Sequence, residues 1–498
     1  MVEALRPVPD TITHKEKEPK ERMPTLIQGG MGAGVSNWEL ARAVAIAGEK
    51  LGKPVLGVVS GTGLPQIMFN RLQNGDPNTK RALEAFDREL DLNVGKELIQ
   101  KYYVSDKSDL QEKSRKLVLP KPEFLVTGNE DMKRRMTNLA VASAFVEVWL
   151  AKQGHNQPIG INVLEKIQLM HLPTLLGAML AGVDYVLIGA GIPSQIPQLL
   201  KDFANRNTAS YKLDVKGLPE GLTMKLDPKR FMSGKEKLKK PKFFPIVSHD
   251  VLAKYLASKV EVDGFVIEGP LAGGHNAPPR GREKTFNENG EPIYGEKDVP
   301  DLAKIADLGK PFYLAGGYAT AEKLKEAQGF GAAGVQVGSI FALCNESGIR
   351  EDLKQQLRER IAAGTLEVLT SAKVSPSGFP FQVVQLGTTI SNNEAYEKRK
   401  KLCDLGYLVH AYLRPDGRVG FRCPSEPESN YLRKGGEIES MDGSVCLCNA
   451  LIDTVNPQGE FPIVTLGKEL DPIKTLMDGK ENGRYSAEEV VIYLTSHK

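Results

Sequence analysis

The sequence lacks several features that mark other classes of protein. Its 498 residues include only five cysteines and two tryptophans, and no apolar run reaches the length of a membrane span. So few cysteines in so long a chain exclude a disulfide-built scaffold. Residues 1–22 are charged and contain no apolar stretch of signal-peptide length. We therefore expect a cytoplasmic protein without a membrane partner.

An excess of one charge is also missing. The chain has 65 basic and 62 acidic residues, a formal net charge of +3, so we expect no nucleic-acid partner. Lysine runs such as residues 235–242 and 398–401 are typical of solvated faces. With 41% hydrophobic and 26% charged residues, the composition predicts a packed globular fold. A small-molecule substrate fits this class of protein, and a homo-oligomer stays open.

What the sequence does contain is a repeated alternation of short apolar runs, which often end in glycine, with longer helical patterns. This pattern is typical of βα units around a parallel sheet. The predicted strands are residues 25–28, 55–59, 159–163, 184–188, 243–247, 264–268, 312–315 and 334–337. Eight is the number of strands in a (β/α)8 TIM barrel, although a doubly wound open sheet would explain the alternation too.

Two long interruptions and a change of character define the predicted domain organisation. Residues 20–350 would form the β/α domain, with insertions at about 70–137 and 276–309. Both insertions follow strands, so in a barrel they would emerge at the active face, where long loops serve as lids or substrate walls. Residues 351–498 read as a helical, cysteine-containing accessory region.

The first predicted strand ends in a glycine-rich turn, Gln28-Gly-Gly-Met-Gly-Ala-Gly-Val-Ser36, followed by a helix that Ser36 or Asn37 would cap. Glycines there let the backbone approach a flat ligand, although such a turn is often only a tight turn. Asn37 replaces the third glycine of the dinucleotide fingerprint, and no Walker A sequence is present.

Glycines also follow the seventh and eighth predicted strands. Gly316 and Gly317 follow one, Gly338 and Ser339 follow the other, and each pair opens a helical pattern. In β/α barrels these loops offer backbone N–H groups and a helix N-terminus to a phosphate. The pattern therefore predicts a phosphate site, with packing glycines as the alternative.

A single histidine follows the sixth predicted strand in the segment Glu268-Gly-Pro-Leu-Ala-Gly-Gly-His275. An imidazole titrates near neutral pH, so His275 can remove a proton from carbon or orient an acidic substrate. A structural histidine is the alternative. Among the histidines of the chain, His275 is the candidate base.

Five segments, in this order, resemble the nitronate monooxygenase (2-nitropropane dioxygenase) family, which is related to flavin-dependent enoyl-acyl-carrier-protein reductases. The matching segments are Gln28-Gly-Gly-Met-Gly, Gly160-Ile-Asn162, Glu268-x-x-x-Ala-Gly-Gly-His275, Leu314-Ala-Gly-Gly317 and Gly334-Val-Gln-Val-Gly-Ser339. The resemblance covers residues 20 to 380. It implies an FMN-binding β/α barrel.

The resemblance also implies which residues hold FMN. The turn after the first strand would lie along the isoalloxazine edge, Asn162 at its polar ring, Gln336 beneath it and two glycines beside His275. The phosphate would lie at the last two strands. The implied cofactor residues are Gly30, Met31, Gly32, Asn162, Gly273, Gly274, Gly316, Gly317, Gln336, Gly338 and Ser339.

The activity implied by the resemblance is FMN-dependent oxidation of an acidic carbon substrate, such as an alkyl nitronate, by O₂, with His275 as base. The segment Ile188-Gly-Ala-Gly191 also resembles the enoyl reductases, so an NAD(P)H-dependent enoyl or acyl reductase is the alternative. A non-catalytic flavin-binding component of an acyl-synthesising complex is a third. Because both insertions and the region after residue 390 exceed the compact family members, the substrate does not follow from the resemblance.

The accessory region contains four cysteines, Cys403, Cys423, Cys446 and Cys448. Their spacing includes one C-x-C pair and differs from the C-x₂₋₄-C pairs typical of thiolate metal sites. We expect no metal. Three interpretations remain: the four cysteines bind a metal, they are buried reduced thiols, or Cys446 and Cys448 form a redox pair.

Overall fold

Eight parallel strands close into a barrel, as predicted from the alternation. The computed structural model describes residues 23–105, 119–232, 237–281, 285–399 and 402–496. Around the barrel the strand order is β1-β10-β9-β8-β7-β4-β3-β2, and every neighbouring pair is parallel. Its strands are β1 Leu26–Gln28, β2 Val55–Ser60, β3 Ile159–Leu164, β4 Tyr185–Gly189, β7 Lys242–Val247, β8 Phe265–Glu268, β9 Phe312–Ala315 and β10 Gly334–Val337.

The barrel strands are near-continuous apolar runs because both of their faces are buried. Successive side chains point to opposite faces, so one set packs under the surrounding helices and the other fills the interior. Large side chains such as Tyr185, Phe244 and Tyr313 occupy the interior with less than 1% exposure. The interior is therefore a packed core, and a ligand can bind only at its ends.

Helices surround the barrel and continue into the accessory region. Asn37 caps the first helix, with its side chain accepting from the backbone N–H of Leu40, and Gly52 ends it in the left-handed conformation. The helices are α1 Trp38–Leu51, α2 Leu64–Gln73, α3 Pro77–Leu90, α4 Val94–Tyr102, α5 Phe124–Thr127, α6 Glu130–Ala151, α7 His171–Leu180, α8 Ile196–Ala204, α9 Asp250–Lys259, α10 Leu302–Ala306, α11 Ala321–Gly329, α12 Ser339–Ala342, α13 Glu351–Ala362, α14 Asn393–Lys398, α15 Glu428–Arg433, α16 Leu447–Val455, α17 Asp471–Met477 and α18 Ala487–Thr495.

The first predicted insertion is largely helical where the structure describes it. Helices α3 and α4 pack together and against α6, and Asp76 caps α3 with Pro77 in its first turn. Buried Phe86 meets Phe145 of α6 edge to face, with ring centroids 5.0 Å apart. This insertion therefore widens the helical layer. None of its described residues lines the cavity at the carboxyl end of the barrel.

A hairpin absent from the sequence-based prediction lies between β4 and β7. Its strands β5 (Ala209–Lys216) and β6 (Leu218–Leu226) are antiparallel, and β5 alternates buried and exposed residues. Strands β13 (His410–Leu413) and β14 (Val419–Arg422) join it in one sheet of order β14-β13-β5-β6. The accessory region is thus bound to the barrel domain by strand pairing.

The rest of the accessory region folds back onto the barrel. Strands β11 (Glu367–Ser371) and β12 (Phe381–Gln385) form an antiparallel pair, and α18 packs against α1. The hydroxyl of buried Tyr485 donates to the carbonyl of Ile340 at 2.8 Å. Within the described ranges, no helix combines the length and apolar character needed to cross a bilayer.

Candidate active site

The carboxyl end of the barrel opens into a cavity of about 250 Å³. Each residue singled out in the sequence for catalysis or cofactor binding lies in its lining. These residues are Gly30, Met31, Gly32, Asn162, Gly273, Gly274, His275, Gly316, Gly317, Gln336, Gly338 and Ser339. They come from five separate segments of the chain, which the barrel brings together because the carboxyl ends of parallel strands meet at one rim.

The floor of the cavity is polar. Asn162, Glu268 and Gln336 line the cavity, and Glu268 lies two residues beyond inward-facing Val266, in the layer above the apolar barrel interior. Oδ1 of Asn162 and Oε1 of Gln336 are buried and find no hydrogen-bond partner among the described residues. Unpaired buried acceptors are costly, and they suit a ligand that presents ring N–H groups to them.

The glycine-rich turn after β1 is held by Ser36. The Ser36 hydroxyl accepts from the backbone N–H of Met31 at 2.8 Å and donates to the carbonyl of Gly29 at 2.9 Å. Gly30 leaves no room for a side chain, because a Cβ there would lie 2.3 Å from Cβ of Asn162. The Asn162 amide donates to the carbonyl of Gly30 at 2.8 Å. Turn and floor are therefore one packed unit.

The predicted phosphate loops follow the neighbouring strands β9 and β10, and Gly338 lies against Met31 of the turn. Gly316 and Gly317 have φ of 80° and 90°, a conformation that glycine adopts without strain. Ser339 begins the short helix α12, and its hydroxyl accepts from the N–H of Gly467 at 2.6 Å, so its own proton stays free to donate. The Glu469 carboxylate lies against Gly317. No lysine or arginine is among the described residues lining the cavity, so an anion here would depend on backbone and hydroxyl donors.

His275 is held by the accessory region. Its Nε2 lies 2.7 Å from Oγ of Ser375, and its ring meets Phe381 edge to face at 4.8 Å. The N–H of neighbouring Gly274 donates to Oγ1 of Thr465 at 2.7 Å. The histidine side chain is therefore fixed on both sides by residues far away in sequence.

Burial shifts the pKa values of His275 and Glu268 in the cavity, because it disfavours their charged forms. Burial lowers the pKa of His275 to about 4, so its imidazole is neutral at pH 7 and able to accept a proton. Burial raises the pKa of Glu268 to about 8, so this carboxyl is protonated at pH 7. The cavity thus contains a neutral base and a neutral acid.

The remaining wall was not predicted from the sequence. It comes from the accessory region and is mainly apolar. The only sequence feature that could have indicated it is the apolar pattern of the short helices there. The residues are Phe381, Tyr407, Leu408, Leu447, Cys448, Leu451, Ile452, Thr465, Gly467, Glu469, Pro472 and Ile473. Neither predicted insertion contributes a described residue to this lining, so the expected substrate wall is formed by a different part of the chain.

The four cysteines of the accessory region lie near one another. The thiols of Cys403 and Cys423 are hydrogen-bonded to each other, and so are those of Cys446 and Cys448. Cys448 also lines the cavity. The Asn449 amide donates to Sγ of Cys446 at 3.4 Å. In the part of the chain that the structure describes, no group of three or more His, Cys, Asp or Glu side chains is arranged to hold a metal ion.

Residues 228–384 match the family model described as nitronate monooxygenase. The resemblance to the nitronate monooxygenase family is confirmed. The nitronate monooxygenase match includes Glu268, His275, the loops after β9 and β10, and Ser375. The turn after β1, Asn162 and the wall after residue 384 lie outside it.

Two curated relatives were found with similarity over part of the chain. One is the "Probable nitronate monooxygenase" of Bacillus subtilis (strain 168), 35% identical over 113 residues, which are 22% of this chain and 30% of the relative. The other is "(3aS,4S,5R,7aS)-5-hydroxy-7a-methyl-1-oxo-octahydro-1H-indene-4-carboxyl-CoA dehydrogenase" of Rhodococcus jostii (strain RHA1), 28% identical over 168 residues, 34% of this chain and 41% of the relative. The chain thus spans less than half the length of either relative.

Solved structures with similarity along most of the chain include FabK from Thermotoga maritima, with a TM-score of 0.45 and 15% identity over 95% of this chain and 92% of that one. A nitroalkane oxidase from Streptomyces ansochromogenes has a TM-score of 0.42 and 14% identity over 95% and 94%. Similarity at this level says nothing about the substrate.

Proposed function

We propose that the chain is an FMN-dependent oxidoreductase that oxidises an acidic carbon substrate, with an alkyl nitronate or its parent nitroalkane as the type substrate and O₂ as the electron acceptor. The observation that supports it most is the neutral imidazole of His275, which faces the same cavity as the glycine loops and the two unpaired amide oxygens. The match to the nitronate monooxygenase model over the His275 loop agrees with this proposal.

The residues present fit a flavin. Asn162 and Gln336 offer unpaired acceptors to ring N–H groups, and the turn at Gly30 lets a flat ring approach the backbone. Gly316, Gly317, Gly338 and Ser339 offer backbone and hydroxyl donors to a phosphate. FMN, when bound, would supply the electron transfer between substrate and O₂ that no side chain of the cavity can perform.

His275 would remove the proton from the carbon next to a nitro group. The reaction turns two neutral partners into an imidazolium and a carbanion, and their attraction in a water-poor cavity offsets the cost of burying both charges. Ser375 fixes the orientation of the imidazole through the bond to Nε2. The apolar wall from the accessory region excludes water and contacts the alkyl chain.

The test is the absorbance spectrum of the purified protein, followed by anaerobic addition of nitroethane or its nitronate. The proposal predicts flavin bands that bleach with substrate. In His275→Ala we expect nitroethane-dependent bleaching to slow by about 10² to 10⁴, the usual contribution of a general base. His155→Ala is the matched control, since His155 is bonded to Ala151 outside the cavity and should bleach like wild type. Colourless protein without affinity for FMN would refute the proposal.

The runner-up is an NAD(P)H-dependent reductase of an enoyl or acyl thioester. Two observations support a reductase activity. The apolar wall would accept an acyl chain, and one curated relative is named as a dehydrogenase of a carboxyl-CoA. Anaerobic NADPH alone separates the two activities. Bleaching by NADPH without nitronate would favour the reductase, whereas bleaching by nitroethane alone would favour the oxidation.

A further inference from the structure

Glu268 is the last residue of β8, and the function proposed above gives it no role. Val266, two positions earlier, packs inside the barrel, so Glu268 lies on the same face one layer higher, in the floor of the main cavity. Its carboxyl makes no hydrogen bond or ion pair with any of the residues that the structure describes. An unpartnered carboxyl at the floor of a ligand cavity is unusual and calls for a function.

A second, smaller cavity of about 20 Å³ also has Glu268 in its wall. Such a volume holds about one water molecule. The rest of its wall comes from the ends of β7 and β8 and from the second insertion. These residues are Ser248, Gly269, Pro270, Ala277, Pro278, Arg280, Tyr294 and Asp298. Glu268 is thus the residue that the linings of both cavities share.

The second insertion forms a fixed wall around the small cavity. The Tyr294 hydroxyl donates to the carbonyl of Ala277 at 3.0 Å, and the N–H of Arg280 donates to Oδ1 of Asp298 at 2.7 Å. Arg280 is exposed and Asp298 is half-buried, so this polar wall leads towards solvent. The insertion therefore borders a polar route from Glu268 outwards.

Burial, and not a charged neighbour, sets the pKa of Glu268. Those lining the main cavity are His275, Tyr318, Tyr407, Cys448 and Glu469, and those lining the small cavity are Arg280, Tyr294 and Asp298. Burial raises the pKa of Glu268 to about 8, with no charged neighbour contributing to the shift. At pH 7 the group holds a proton that it can give up at modest cost.

We infer that Glu268 carries protons between the main cavity and the small cavity. Each transfer moves one proton and no electrons. The O–H bond of Glu268 breaks as its proton passes to a basic atom in the main cavity, and water in the small cavity returns a proton to the carboxylate, replaced in turn from bulk water. The route itself does not depend on the proposed function; only the reaction that consumes the proton does.

The first test needs no substrate. Infrared spectra of the full chain should show the C=O band of a protonated carboxyl at pH 6 that titrates away with a midpoint near pH 8 and is missing in Glu268→Gln. Absence of that band in wild type at pH 6, or its persistence in a Glu268→Gln variant that matches wild type in circular dichroism, would overturn the inference.

The second test addresses the route. After transfer into D₂O the Glu268 band shifts as its proton exchanges, and Ser248→Leu, which fills the small cavity, should slow that exchange about tenfold, equivalent to about 1.4 kcal/mol of added barrier. Ser258→Leu, at an exposed position of α9, is the matched control and should exchange like wild type. Equal exchange in both variants would overturn the small cavity as the route.

In flavin-loaded enzyme, the rate of wild type should fall above pH 8 as Glu268 loses its proton. Glu268→Gln should lower kcat about tenfold with KM unchanged and should no longer show this fall. Glu268→Asp should still show a fall in rate at high pH. A purely structural Glu268 would alter stability and KM but leave this fall in place, which would overturn the inference. If the infrared results hold and no nitronate is oxidised, the proposed function fails and the proton route stands.

Discussion

At the scale of single residues, the proposed role of His275 as base makes its protonation set the acid side of the pH profile. Its pKa is lowered to about 4, and the neutral form is the one that accepts a proton, so activity is present above this pKa and lost as pH falls through it. We expect kcat/KM for nitroethane to fall with a midpoint near pH 4 rather than near 6.5, the value of a free imidazole. Stopped-flow bleaching across pH 3.5 to 8 measures it.

The control for this pH profile is His155→Ala, which should keep the same midpoint because His155 lies outside the cavity. Ser375→Ala should lower the rate, because the imidazole loses the hydrogen bond that orients it. The fall in kcat/KM below pH 5 should remain in this variant. A wild-type midpoint near pH 6.5 would contradict burial of His275 as the cause.

Cys446 is the thiol that we expect to react first with an alkylating agent. Hydrogen bonds from Cys448 and Asn449 stabilise its thiolate and lower its pKa, whereas burial raises the pKa of Cys344. Mass spectrometry of the chain treated with iodoacetamide at pH 7 should find Cys446 labelled faster than Cys344, because a larger fraction of Cys446 is thiolate. In Asn449→Ala the Cys446 rate should fall. Labelling of all five cysteines at one rate would contradict this.

At the scale of elements, the barrel could be predicted and the cavity wall could not. Each of the eight strands is a short apolar run buried on both faces, and such a run is visible in the sequence. The strand ends then placed Asn162, His275 and Gln336 at one rim. Thr465 reaches Gly274, and Ser375 reaches His275, only through tertiary packing. The paired residues are almost 200 and 100 positions apart, and no local sequence pattern predicts such contacts.

The hairpin β5–β6 has a sequence pattern that predicts its strands, whereas its pairing with the accessory region has none. The segment Ala209-Ser-Tyr-Lys-Leu-Asp-Val-Lys216 alternates apolar and polar residues with period two and is followed by Gly217, which is the pattern of a half-buried strand and turn. Sequence reasoning could have found it. Its pairing with β13, in contrast, joins residues about 200 positions apart and depends on the completed fold.

The segment before α17 tests how far the accessory region controls the site. A Cβ at Gly467 would lie 2.6 Å from the carbonyl oxygen of Leu271 and 3.2 Å from Oγ of Ser339, so Gly467→Ala must push this segment away from both loops. We expect an unfolding free energy lower by about 1 to 3 kcal/mol and weaker FMN binding. Urea unfolding and fluorescence titration with FMN measure the two effects.

The matched control for that variant is Gly387→Ala, in the same region, where a Cβ meets nothing within 4 Å. Its stability and FMN affinity should equal those of wild type within error. Normal FMN binding by Gly467→Ala would mean that the accessory region only covers the cavity and does not shape the phosphate loops.

At the scale of the whole molecule, the region after residue 350 is integrated with the barrel. It supplies β13 to the sheet of β5, packs α18 on α1 and forms one wall of the cavity. An ion pair of 2.5 Å joins Lys50 to Glu488, although an exposed pair adds little stability by itself. The buried Tyr485 bond to Ile340 and the shared apolar core are stronger links.

Because of this integration we expect the two predicted parts, 20–350 and 351–498, to unfold together. Differential scanning calorimetry of the full chain should show one transition whose calorimetric and van't Hoff enthalpies agree. On the proposed function FMN would bind only the folded cavity. FMN at 100 times its Kd should then stabilise both parts in the same transition, by about 2.7 kcal/mol of unfolding free energy. Two transitions, of which FMN shifts only one, would show instead that the barrel folds without its accessory wall and that the cavity is closed by a separable domain.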